Sequence, residues 1–160
     1  MAARSNLAMK NEPLVIERVL DAPVALVWRA LTDVDDMRHW YFTLPKFEAR
    51  VGFEFEFLAG KAETKYLHRC KVTEAIPEKR LAYSWRYEGY PGDSLVTFEL
   101  FAEGKKTRLR LTHTGLETFS GTADFAKANF QRGWTSIFGS LSAFLETRRG
   151  KVARPGSTGA

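Results

Sequence analysis

His39, His68 and His113 are the only histidines of this 160-residue chain, and Cys70 is its only cysteine. A zinc site would draw mainly on them. A structural zinc takes four ligands, commonly in closely spaced pairs, and this chain has no such pairs. His68 and Cys70 stand two residues apart, so a strand would put both on one face. Two ligands do not close a site, and no metal is expected. A nucleophile needs a base beside it and an orienting group beside the base. No G-x-S-x-G elbow is present, and a cysteine facing inward from a strand reads as a small hydrophobe. Gly60–Lys61 lacks the spacing and the following hydroxyl of a phosphate loop, and no G-x-G-x-x-G occurs. No cofactor is therefore expected.

General acid–base chemistry stays open. Tyr66, His68, Tyr83 and His113 fall on one side of an alternating pattern, and a neutral histidine with a tyrosine can move protons in an apolar pocket. The simpler reading makes them buried polar groups satisfied by neighbours, or anchors for a bound molecule. No residue receives a catalytic role.

The elements that position these groups follow from periodicity. Leu14–Leu20, LVIERVL, reads as a strand. Pro23 suits the first position of a helix in which Val24, Val27, Trp28 and Leu31 share a face. A second short helix follows, with Asp33 as cap and Asp35 and Asp36 in its first turn, and it closes on Trp40. From about Phe47 the period becomes two. Phe53, Phe55 and Phe57 alternate with Glu54 and Glu56, and Leu81, Tyr83, Trp85 and Tyr87 alternate with Ala82, Ser84 and Arg86. Val96, Phe98 and Leu100, then Leu109, Leu111 and His113, continue the inward face. Turn material at 59–61, 76–79, 89–93 and 103–106 separates the strands. This is an antiparallel sheet with one wet face. The opposite, charged face reads as a solvated surface of cross-strand pairs. A long helix is expected from near Thr122 to Arg148 and Arg149, with Gly150 as its stop. Phe130, Trp134, Ile137, Phe138 and Leu141 mark its apolar stripe. Gly133 and Gly139 interrupt it, as if to let it approach or bend against the sheet.

The chain is long enough for one domain with a sizeable core, with 44% hydrophobic and 13% aromatic residues. No run is long enough to span a membrane, no secretory signal is visible, and a single cysteine argues for a reducing cytoplasm. The net charge of +5 resides in the termini, because the acids and bases of residues 14–146 balance. A nucleic-acid reader carries its charge on the folded face that binds, so no nucleic acid is expected. Residues 1–13 read as a flexible N-terminus, 14–149 as the domain, and 150–160 as a disordered basic tail.

"APVALVWRALTDVDDMRHW" resembles the opening helix pair of the START-like, or Bet v I-like (SRPBCC), superfamily. The nearer likeness is to the branch named for the activator of the heat-shock chaperone ATPase, through Ala22, Pro23, Val27, Trp28, Ala30, Leu31, Thr32, Asp33 and Trp40. "VTFEL" with "GKKTRLRLTHTGL" resembles the closing hairpin of that branch, and Gly133-Trp134 its final helix. The resemblance implies an α+β helix-grip fold, a curved antiparallel sheet wrapped round a long C-terminal helix with a cavity between them. It also implies a hydrophobic, lipid-like or polyketide-like small molecule as partner, with a chaperone as the alternative protein partner. A cyclase- or hydrolase-type enzyme using a cavity histidine is the third reading. The expected ligand-binding set is Trp40, Phe55, Phe57, Tyr66, His68, Tyr83, Trp85, Phe98, Leu111, His113, Phe130, Trp134, Ile137 and Phe138. A monomer and a homodimer are equally compatible with the sequence.

Overall fold

The computed structural model describes residues 12–61, 64–119 and 123–153. Most of the segment expected to be flexible at the N-terminus lies outside them, as does residue 154 onward of the expected tail. Six strands form one antiparallel sheet: β1 (Leu14–Leu20), β2 (Glu54–Lys61), β3 (Thr64–Ile76), β4 (Arg80–Tyr87), β5 (Ser94–Glu103) and β6 (Lys106–Thr114). Their order across the sheet is β1-β6-β5-β4-β3-β2. The helices are α1 (Val24–Thr32), α2 (Val34–Met37) and α3 (Lys127–Ala153). This is the helix-grip fold.

In the central part of β2 to β6 the inward phase is buried as its alternation predicts. Phe55, Phe57, His68, Cys70, Tyr83, Trp85, Phe98, Leu111 and His113 all lie in the interior. Register matches these residues across strands, with Val96 opposite His113 and Phe98 opposite Leu111. A register shift between Val72 and Glu74 in β3 marks a bulge, the device that bends a sheet locally. Outward residues pair by charge. Arg108 and Arg110 both reach Glu17 across β6 and β1, and Arg69 reaches Glu88 at 2.6 Å. These pairs are well exposed and contribute little each.

Helix α3 buries Phe130, Trp134, Phe138, Leu141 and Leu145 against the sheet, a 3.6-period stripe facing a 2-period one. The chain leaves the sheet by β1 at one edge and re-enters by β2 at the other, so residues 21–53 must cross the molecule. That excursion is pinned at several points. Asp33 caps α2 by accepting from the Asp35 and Asp36 amides. The Trp40 indole donates to the Ala30 carbonyl at 3.0 Å. Asp36, buried, faces Arg148 of α3 at 3.4 Å and Arg29 of α1 at 3.8 Å, and burial raises its carboxyl pKa.

Four local expectations are corrected. Pro23 is the N-cap of α1, in extended conformation, rather than the first helical residue. Residues 59–61 belong to β2, not to the turn, whose tip lies outside the described residues. Helix α3 begins at Lys127 after a 3-10 turn at Ala123–Phe125; the expected cap, Thr122, lies outside the described residues. The helix also runs through Gly150 to Ala153, because a glycine lowers helix propensity without ending a helix whose neighbours favour it.

The helical glycines are not contact points either. A methyl group added at Gly133 or Gly139 would meet nothing within 4 Å. Gly115 differs: its φ is +84° and an added Cβ would stand 2.7 Å from the Asp93 carbonyl oxygen. Urea denaturation should therefore separate the two kinds. Gly139→Ala should raise unfolding free energy by up to about 1 kcal/mol through helix propensity. Gly115→Ala should lower it by about 1–3 kcal/mol through a forced left-handed backbone.

Candidate functional site

The sheet's inward stripe changes size along β2. Phe53, Phe55 and Phe57 are followed in the same phase by Ala59, with Gly60 beyond. At that end the strand stops filling the space beneath α3. The result is a cavity of about 350 Å³ lined by both layers of the fold. Ala59 and Gly60 come from β2, Tyr66 and His68 from β3, and Trp85 and Tyr87 from β4. Asn129, Phe130, Gly133, Trp134, Ser136 and Ile137 come from α3. Phe42, from the crossing excursion, and Asp124 and Phe125, from the 3-10 turn, complete it. Gly60, Gly133 and Ser136 are exposed and mark the mouth.

Trp134 divides the interior. On one side Phe98 meets its indole edge-on at 6.0 Å, and Phe138, Leu141 and Leu145 pack without exposure. On the other side lies the cavity, where Trp85 stands 5.3 Å from the Trp134 ring. A hydrogen-bond chain holds this indole. Trp134 Nε1 donates to His113 Nδ1 at 3.1 Å. An indole N–H can only donate, so Nδ1 is bare and Nε2 carries the proton. Nε2 then donates to Ser94 Oγ at 2.9 Å, and Ser94 donates to the Trp85 carbonyl at 2.7 Å. Burial lowers the His113 pKa to about 3. Both its nitrogens are occupied, leaving neither to move a proton to or from a guest.

His68 is placed differently. Its Nδ1 lies 2.9 Å from the Tyr66 carbonyl, which only accepts, so Nδ1 is protonated and Nε2 is the ring's acceptor. Burial lowers its pKa to about 4, against the opposing pull of the Tyr66 and Phe57 carbonyls. The ring is stacked on Phe57 at 4.5 Å. The Tyr87 hydroxyl accepts from Trp85 Nε1 at 2.9 Å and retains its own proton for donation. The Tyr66 hydroxyl donates to Asp124 Oδ2 at 2.6 Å, and this bond raises the phenol pKa to about 12. Asn129 Nδ2 donates to the Asp124 carbonyl at 2.9 Å, tying the 3-10 turn to the first turn of α3.

Of the residues expected from sequence, Tyr66, His68, Trp85, Phe130, Trp134 and Ile137 line the cavity together. Trp40, Phe55, Phe57, Tyr83, Phe98, Leu111, His113 and Phe138 are packed in the interior outside the lining. Tyr83 shares a 2.6 Å hydrogen bond with Tyr41, and burial raises both phenol pKa values. Burial likewise raises the Cys70 thiol pKa, which suppresses the thiolate a nucleophile needs. Sequence reasoning missed Ala59, Gly60 and Tyr87, though the alternating phase reaches both Ala59 and Tyr87. It also missed Phe42, Asp124 and Phe125, which sit in irregular segments with no period to reveal them. Among the described residues no group of three metal-ligating side chains forms, and no helix is long and apolar enough to cross a membrane.

Comparison with known proteins agrees with this architecture. The family model described as activator of Hsp90 ATPase homolog 1-like protein matches residues 21–146. No curated protein matches the chain. Among solved structures, MLL2253 from Mesorhizobium loti is 27% identical and superposes with a TM-score of 0.70, over 85% of this chain and 98% of that one. CV1439 from Chromobacterium violaceum is 26% identical with a TM-score of 0.72, over 84% and 97% of the two chains. CalU16 from Micromonospora echinospora is 26% identical with a TM-score of 0.63, over 89% and 82%.

The two buried histidines make stability depend on pH. Below about pH 6.5 the unfolded chain protonates them, while the folded chain keeps them neutral down to about 4 for His68 and about 3 for His113. The unfolded state thus binds more protons, and stability present above pH 6.5 is lost as pH falls. Unfolding free energy measured from pH 7.5 to 5 should fall with a limiting slope near 1.4 kcal/mol per pH unit for each histidine. His68→Gln should remove about half of that slope. An unchanged slope in the variant would show that His68 is not buried neutral.

Proposed function

Because the chain belongs to the family of activator of Hsp90 ATPase homolog 1-like proteins, we propose that it is a non-enzymatic binder of a small, mainly apolar molecule carrying a ring. The guest sits between β2–β4 and the first half of α3. The observation that carries this reading is the cavity itself, about 350 Å³ with aromatic walls and a few polar groups converging on it. Small-molecule sites have this make-up and occupy roughly 300–1,000 Å³. Phe42, Trp85, Phe125, Phe130 and Trp134 supply flat apolar surface. Tyr87 offers a hydroxyl proton and His68 an acceptor nitrogen, so a guest with one polar group can be oriented as well as enclosed.

Binding rather than turnover is favoured by the way the candidate catalytic groups are engaged. Both nitrogens of His113 are committed to Trp134 and Ser94. His68 is a neutral, weakly basic ring, and burial holds the Cys70 thiol protonated. None of the three is a base poised near neutral pH beside a nucleophile.

The test is a titration with uncharged aromatic probes, followed by tryptophan fluorescence, since Trp85 and Trp134 form part of the wall. Binding should perturb both indoles. Gly133→Leu supplies the control. The added side chain starts from open space at the mouth, so it should block the cavity. It also replaces a residue that costs the helix about 1 kcal/mol. Binding should fall at least tenfold with the melting temperature unchanged or raised. Undiminished binding in Gly133→Leu would place the guest elsewhere.

A further inference from the structure

The walls of the cavity carry one formal charge. Asp124 is the only Asp, Glu, Lys or Arg among the described residues that line it. The Tyr66 hydroxyl donates to its Oδ2 at 2.6 Å, which fixes the side chain at the edge of the aromatic wall. No lysine or arginine of the described residues forms an ion pair with it. His68, the other titratable lining group of basic type, is neutral at pH 7. Among the described residues, the lining therefore presents one acidic side chain beside aromatic faces and no lysine or arginine.

The rings are arranged about that centre. Tyr66 and Phe125 lie with centroids 5.0 Å apart, and Tyr87 stacks on Phe125 at 4.5 Å. Farther in, Trp85 and Trp134 present two indoles 5.3 Å apart. An aromatic face attracts a cation within about 6 Å through its quadrupole, tryptophan most strongly. A carboxylate among such faces adds direct attraction, strengthened by the partial exclusion of water. The same field disfavours fatty acids, phosphates and other anionic guests.

We propose that the guest is a cation, an apolar amine or quaternary ammonium ion. Its hydrocarbon part lies against the wall formed by Trp85 and Trp134, and its positive charge faces Asp124. This rests on the reading of the cavity as a ligand site and names the chemical class that the site selects. Asp124 and the tyrosine rings set specificity, while the tryptophans supply affinity that any apolar guest can use.

A matched pair of probes tests it: phenyltrimethylammonium, and tert-butylbenzene, its uncharged isostere, each titrated into wild type and Asp124→Asn at low and physiological salt. Phenyltrimethylammonium should bind the wild type, and Asp124→Asn should weaken it about tenfold while leaving tert-butylbenzene unchanged. If tert-butylbenzene binds the wild type and phenyltrimethylammonium does not, the cation assignment is overturned and the cavity reading stands. If Asp124→Asn weakens both probes equally, Asp124 only shapes the mouth and the assignment is again overturned. If neither probe binds the wild type, the cavity is not a ligand site and both readings fall.

Discussion

The hydrogen-bond chain from Trp134 through His113 and Ser94 to the Trp85 carbonyl is the interaction on which the rest of the structure depends. It joins the helix to strands β6, β5 and β4 through groups that are all buried. Each link adds only about 0.5–1.5 kcal/mol net, but stranding any member would leave a buried donor or acceptor at a cost of about 1–3 kcal/mol. The chain is also directional. The indole can only donate and the carbonyl can only accept, so the histidine tautomer and the serine rotor between them have one consistent setting. A polar chain satisfied in only one way specifies one arrangement of helix on sheet.

That setting decides where space is left. With its indole tied to His113, Trp134 lies across the interior as a partition. Beyond it the helix is an ordinary core element, with Phe138, Leu141 and Leu145 fully packed. Before it, small residues on both layers, Ala59 and Gly60 on β2 and Gly133 on α3, keep the walls apart. An apolar surface without packing partners forfeits dispersion contacts, and Gly133 forfeits helix propensity. Both costs fall in the same place, beside the cavity.

Much of the fold was legible in the residues. Alternation in β2 to β6 picked out the main buried face of each strand, because a period of two admits two phases and the aromatic residues choose between them; Ala82 and Thr97, of the outward phase, are buried as well. Asp33 as the α2 cap was equally readable, since a short acceptor before a first turn has one common use. The helix ends were less so. Thr122 and Gly150 are plausible signals, but the boundaries depend on what the flanking turns contact, here Asp124 with Tyr66 and Asn129.

The sequence by itself determined which side chains face inward and that a long aromatic helix must cover them. Those are properties of local period and of apolar surface needing a partner. It could not tell His113 from His68, two inward histidines on strands, one locked between Trp134 and Ser94 and the other lining the cavity. Nor could it divide Phe55 and Phe98 in the core from Phe125 and Phe130 on the cavity wall. Tertiary structure decided these, because whether an inward residue meets a neighbour or a void depends on the residue opposite it. That residue is set by strand order, a bulge and the seating of a helix distant in the chain, and none of these is written in the local pattern.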